Sequence, residues 1–333
     1  MTSLFRTIIG TLVSVVSLAC AEGFAQSADK GPLQLEGKIV LGNVRGRIDH
    51  MAIDQKRQRL FVAELGNDSV GVVDLANRSV IRTITGLNEP QGVGYEPSTD
   101  TLFVANARDG SVQLFDGSDY KATAKIDLGS DADNVRINAS NQVVVSYGSG
   151  GLATLDPSTR NQIQNAPLKA HPEGFQVEPD SGRIYVNVPD VRAVAVVDGQ
   201  SGKQLANWPM THGGNFPMAL DRDQGRVLVV FRSPPTLTAF AIADGKPIAS
   251  AETCGDSDDL FIDAKRGRVY VSCGAGYIDV FAIDGSVYRR ITRIPTVPGA
   301  RTSFFVPERD QFLLAVRATS AEPAAIWVFR PSP

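Results

Sequence analysis

One apolar position returns seven times in a strand-like setting: Phe61, Phe103, Val144, Tyr185, Leu228, Tyr270 and Leu313, at intervals of 41 to 43 residues. The flanking residues repeat with it, as RLFVA over 59–63, TLFVA over 101–105, RIYVN over 183–187 and RVYVS over 268–272. In the first repeat the pattern predicts strands over 51–54, 59–63, 69–74 and 80–84. Each is short, rich in Val, Ile or Phe, and bounded by polar or glycine-containing turns. After the first 25 residues no 12-residue window carries a helical period. Four strands in about 40–45 residues make a propeller blade, so the expected fold is an all-β, seven-bladed β-propeller.

The seventh repeat supplies only three strands, over 303–306, 311–316 and 325–329. One strand is left over at the other end, LEGKIVL at 35–41. The expected solution is that this N-terminal strand pairs with the last blade and closes the ring, hiding two strand edges that would otherwise stand open. A closed ring needs no second copy to cover its edges, so a monomer is expected. Third strands tend to end in aspartate, at Asp74, Asp116, Asp156, Asp198, Asp244 and Asp284. Each precedes a turn, and Asp caps turns through its own backbone.

The first 25 residues lie outside the pattern. Residues 1–6 carry one positive charge, 7–19 are mostly apolar but too short to span a bilayer, and small residues follow around Ala21 and Ala25. This predicts a cleavable secretory signal over 1–25, a polar lead-in over 26–32 and the propeller over 33–333. The mature chain is then expected to be periplasmic or secreted, with no transmembrane segment. Composition agrees with an ordinary soluble domain: 43% hydrophobic, 21% charged, with a net charge of −3. A basic field over the whole surface is excluded. Beyond Cys20, the chain has Cys254 and Cys273. A pair in an oxidising compartment, both placed at one rim of the sixth blade, is expected to form a disulfide.

Up-and-down strand order brings the loop leading into each first strand and the loop between second and third strands to the same mouth of the central channel. The leading loops are dense in polar groups. They present Asp49, His50, Gln91, Asp133, Asn134, Glu173, Asn215, Asp258, Asp259 and Arg301 as a candidate binding surface for an anionic or polyhydroxyl ligand, or for a partner protein. Oxygen-rich sets of this type suit Ca²⁺, and His with carboxylate suits a transition metal. No H-E-x-x-H, C-x-x-C or complete EF-hand loop is present, and no G-x-S-x-G elbow. Arg47, Arg108, Arg232, Arg301 and Arg317 with Tyr147 and Tyr277 are the residues a single-stranded nucleic acid would use, although the acidic loops oppose it.

The repeat core, seen in Asn67–Asp74 (NDSVGVVD) and Gly110–Asp116 (GSVQLFD) after each Leu-Phe-Val-Ala strand, resembles the YVTN-type repeat of YncE-like bacterial propellers across essentially all of 33–333. The resemblance implies an exported seven-bladed propeller, and associates part of the family with single-stranded DNA binding. Related gluconolactonase-type propellers hold a divalent ion in the channel by Glu, Asn and Asp. The types at Asn134, Glu173, Asn215 and Asp258 are similar to that arrangement and imply, as an alternative, a metal-dependent hydrolase with Ca²⁺. Repeats five and seven depart from the pattern, with loops expected to be longer at 233–235 and 319–323. The leading expectation is a ligand- or partner-binding module without chemistry of its own.

Overall fold

Alternating apolar and polar positions give each repeat two faces, and the repeats bury them against one another. The computed structural model describes residues 1, 2 and 31–333; the expected secretory signal over 1–25 lies, from residue 3 onward, outside the described residues. Seven four-stranded antiparallel sheets follow one another in a ring, a seven-bladed β-propeller. Blades 1 to 6 occupy residues 51–85, 90–127, 132–167, 175–209, 213–252 and 257–295; blade 7 occupies 303–331 and borrows Leu33–Val40.

The seven recurring apolar residues lie in the second strands and are at most 1% exposed. They do not meet at a single centre. Phe61, Val70 and Val72 of blade 1 share a core with Val93, Leu102 and Val104 of blade 2. Leu228 and Val230 of blade 5 do the same with Val269 and Val271 of blade 6. The core is therefore a set of seams between blades. The fourth strands lie outermost, and Ser79–Thr85 is largely exposed.

Closure follows the expected route. Leu33–Val40 runs antiparallel to Ala325–Pro331, from Leu33 opposite Pro331 to Val40 opposite Ala325, with a bulge between Leu35 and Gly37. Both strands extend two residues beyond the expected boundaries, at Leu33 and at Pro331. In blade 5 the expected long loop at 233–235 is not present. The strands themselves lengthen, to Arg226–Ser233 and Pro235–Ala241, and Arg232 pairs directly with Pro235 across a tight turn.

Five of the six third-strand aspartates cap turns, as their spacing predicts. Asp74 accepts from the N–H groups of Ala76 and Asn77, and Asp116 from that of Ser118. Asp156, Asp198 and Asp244 accept from Thr159, Ser201 and Lys246 in the same way. Cys254 and Cys273 form a disulfide, with Cα atoms 5.9 Å apart. It ties the loop leading into blade 6 to the end of that blade's second strand. Among the described residues no helix is long and apolar enough to cross a membrane.

Candidate functional site

The leading loops are held from two sides. Within a blade, Asp49 N–H donates to Ala63 C=O at 2.7 Å, and Glu173 N–H to Asn187 C=O at 2.9 Å. Asn134 N–H donates to Ser146 Oγ at 3.0 Å. Between blades, His50 N–H donates to Gln91 C=O at 3.2 Å, and Ser303 N–H to the Asp259 carboxylate at 2.7 Å. Blades 2 and 3 meet closely at Gly92, where a Cβ would stand 1.8 Å from the Asp133 carbonyl oxygen. Only glycine permits that approach. Gly92→Ala is expected to cost about 2–3 kcal/mol through overpacking, read as a lower urea midpoint with an unchanged slope.

This bracing brings side chains from blades 1, 3, 4, 5 and 6 around a cavity of about 50 Å³ at the mouth, lined by Arg47, Asp49, His50, Asp133, Asn134, Glu173, Asp258 and Asp259 among others. That is room for an ion with a water or two. A second cavity of about 440 Å³ lies along the channel and is walled mainly by apolar groups such as Ile53, Ile137, Leu220, Ile262 and Phe304. His50, Arg136, Gln176, Leu260 and Phe261 line both cavities, so they mark the waist between a polar mouth and an apolar channel.

Five carboxylates line this small volume, and their environments drive them apart. Burial pushes Asp133 up to about 7, with the Asp49 and Glu173 charges adding to it and the His50 side chain opposing it. Burial also lifts Glu173 to about 7, helped by Asp258. Asp49 is raised by burial despite His50 and Arg47, which forms a 2.7 Å ion pair with it. Asp259 is raised well above the usual carboxylate range by burial and by the neighbouring Asp258. Asp258 goes the other way. Burial acts on it too, but Arg301 and Arg232 together outweigh that and hold it below the usual range. Its oxygens lie 2.5 Å from Arg232 Nη2 and 3.3 Å from Arg301 Nε. His50 Nε2 stands between Asp49 at 3.8 Å and Asp133 at 3.9 Å.

Arginines gather on one side of the mouth. Arg232 and Arg301 share Asp256 and Asp258, and Arg47 takes Asp49. Arg317 makes no ion pair among the described residues. Burial and the charges of Arg301 and Arg47 push its guanidinium below its ordinary value. The Nε atoms of Arg47 and Arg317 are buried without a hydrogen-bond partner. Four guanidiniums thus divide three carboxylates.

No family model matches the chain, and no curated protein matches it. A chain from the crystal structure titled a mitotic checkpoint complex superposes with a TM-score of 0.76 at 14% identity, covering 98% of this chain and 100% of that one. The likeness is one of fold.

The candidate set from sequence divides on this geometry. Asp49, His50, Asp133, Asn134, Glu173, Asp258 and Asp259 do line one cavity, and Arg301 stands just behind it on Asp256 and Asp258. Asn215 does not take part. It is fully buried, and its amide donates to Asn187 Oδ1 and Ala193 C=O as a brace inside the ring. Gln91 uses its backbone carbonyl to hold His50 and turns its amide toward Asp131 at 3.5 Å. Of the metal set Asn134, Glu173, Asn215 and Asp258, Asn215 lies outside this cavity and Asp258 pairs with two arginines.

The nucleic-acid set also separates. Arg108 pairs with Asp68 and Glu89, Tyr277 packs under Arg293, and Tyr147 donates to Asn165. Sequence reading missed Arg136 and Gln176, which sit within first strands. A charged residue between Val135 and Ile137 on an innermost strand was the available sign.

Proposed function

We propose that this protein is an exported propeller that binds a small anionic ligand, a carboxylate or polyhydroxy acid, at its charged channel mouth. The observation that carries this reading is Arg317, a guanidinium at the mouth that makes no ion pair among the described residues. Arg317 stands beside Arg47 and Arg301 with no carboxylate of its own, and buried Nε donors on Arg47 and Arg317 await an acceptor. A guanidinium fork matches a carboxylate by two parallel hydrogen bonds. The other features support the reading. Binding sites collect on loops held by a rigid scaffold. The fold is one that commonly mediates partner binding. The secretory-type N-terminus and the resemblance to YVTN-repeat propellers suit an exported binding module.

The test is titration of metal-stripped, desalted protein with gluconate, citrate and inorganic phosphate, followed by calorimetry. At least one is expected to bind once per chain. Arg317→Ala is expected to weaken it 10- to 100-fold, the size of one charge-assisted hydrogen bond, while the melting temperature holds. If none of the three binds saturably, or Arg317→Ala leaves the affinity unchanged, the arginines serve only the structure.

A further inference from the structure

Across the mouth from the arginines, Asp133, His171 and Glu173 each offer a ligand atom, and all three atoms lie within 4.8 Å of one another. They come from two leading loops that are far apart in sequence terms but adjacent in the ring. Asp133 and Glu173 line the small cavity, and Asp133 is 6% exposed.

Two further observations point at this spot. Asn134 is 3% exposed and lines the same cavity. Its Nδ2 donates to Asp133 Oδ2 at 3.2 Å, but its Oδ1 is buried with no partner. An orphaned amide oxygen in a closed polar pocket is costly unless something electropositive meets it. The second observation is the setting of His171. Its Nδ1 lies 2.7 Å from the Gly148 carbonyl oxygen. That contact is satisfied only when Nδ1 carries the proton, which leaves Nε2 with its lone pair free. A histidine that donates one ring N–H to a backbone carbonyl is the usual arrangement for a metal-binding imidazole, because the bond fixes both tautomer and ring orientation.

We infer that Asp133, His171, Glu173 and the Asn134 Oδ1 form a binding site for one divalent transition-metal ion at the channel mouth. The donor set chooses the class of ion. Three oxygens and one imidazole nitrogen suit Zn²⁺ or Mn²⁺, whereas Ca²⁺ takes six to eight oxygens. The cavity of about 50 Å³ is sized for an ion that keeps a water or two. The site differs from the set expected from sequence. It keeps Asn134 and Glu173, gains Asp133 and His171, and loses Asn215 and Asp258. It does not depend on the anion reading, since its ligands lie apart from Arg317, although an ion there would face an anion held by the arginines.

The test uses the full chain, stripped with EDTA and titrated separately with ZnCl₂, MnCl₂ and CaCl₂ at pH 7.5, with no anionic ligand added. One equivalent of Zn²⁺ or Mn²⁺ is expected, with Ca²⁺ at least tenfold weaker. His171→Gln and Glu173→Gln are each expected to lose at least tenfold in affinity. Asn134→Ala is a third variant, and Asp244→Asn, in an exposed turn, is expected to match the parent. Melting temperatures of the stripped proteins confirm that each variant is folded. No saturable binding by the parent, equal affinity in the folded His171 and Glu173 variants, or a preference for Ca²⁺ overturns the assignment. Because the anion experiment uses metal-stripped protein and anionic ligands are omitted here, either result can fail alone.

Discussion

Removing residues 31–41 is expected to leave no stable monomeric propeller. Leu33, Ile39 and Leu41 are 1–6% exposed, and burying each such side chain is worth about 1.5–3 kcal/mol. The seven paired positions with Ala325–Pro331 add a ladder of backbone hydrogen bonds at about 1 kcal/mol each. Their sum is comparable to the whole stability of a typical domain, about 5–15 kcal/mol. The loss also opens the edge of Ala325–Pro331, which then invites pairing with another chain. Size-exclusion chromatography and a urea melt read both effects. Oligomer, aggregate or a non-cooperative melt is expected. A truncated chain that stays monomeric and melts like the parent would show that closure is dispensable.

Asp258→Asn and Asp259→Asn are expected to act in opposite directions although the residues are neighbours. Asp258 is the partner of both Arg232 and Arg301. Removing its charge leaves two largely buried guanidiniums with one half-exposed carboxylate, Asp256, to share. Breaking a buried pair in this way typically costs about 3–5 kcal/mol. Asp259 is buried beside Asp258, and its one strong contact is the Ser303 N–H. An asparagine oxygen can accept that bond equally well. The substitution removes a charge that burial and Asp258 both disfavour, so Asp259→Asn is expected to be neutral or stabilising.

The pH dependence separates the two cases. The folded-state pKa of Asp259 is raised, so between its ordinary value near 3.8 and its folded value the native state holds more protons than the unfolded state. Its contribution to stability therefore falls as pH rises through that window. Asp258 is lowered, so its contribution is present above its ordinary value and lost as pH falls through the folded one. In urea melts of the metal-free protein, the gain from Asp259→Asn is expected to grow between pH 5 and pH 8. The loss from Asp258→Asn is expected to shrink toward pH 3. An Asp259→Asn protein that is several kcal/mol less stable at pH 8 would contradict the assignment of a strained, buried carboxyl.

Much of the fold was legible because it is local and repeated. A strand of Arg-Leu-Phe-Val-Ala type, a turn and an aspartate cap are decided within a few residues, and seven copies multiply a signal that one copy would not carry. Closure by an N-terminal strand, expected over 35–41 and found over Leu33–Val40, was legible by counting strands. The blade 5 turn was misread because Pro234 and Pro235 suggest a loop, while the flanking strands can lengthen to meet them.

The candidate site was legible only in part. Loop position named the residues that reach the mouth, and seven of them do line one cavity. Their partners were not legible. Nothing local distinguishes Asn134, which lines the cavity, from Asn215, which lies outside it with its amide N–H groups bracing Asn187 and Ala193. Nor does sequence tell Asp258, claimed by two arginines, from Asp259, claimed by a backbone N–H.

The sequence by itself determined the seven-fold repeat, the four-stranded blades, the disulfide and the mouth at which polar groups gather, because strand alternation and turn chemistry act over a few residues. The tertiary structure alone decided which charges pair, which carboxyls are forced upward and that Asp133, His171 and Glu173 converge. Those outcomes depend on the angles and distances between blades that are remote in the chain, and on how far the closed ring excludes water from the charges it brings together.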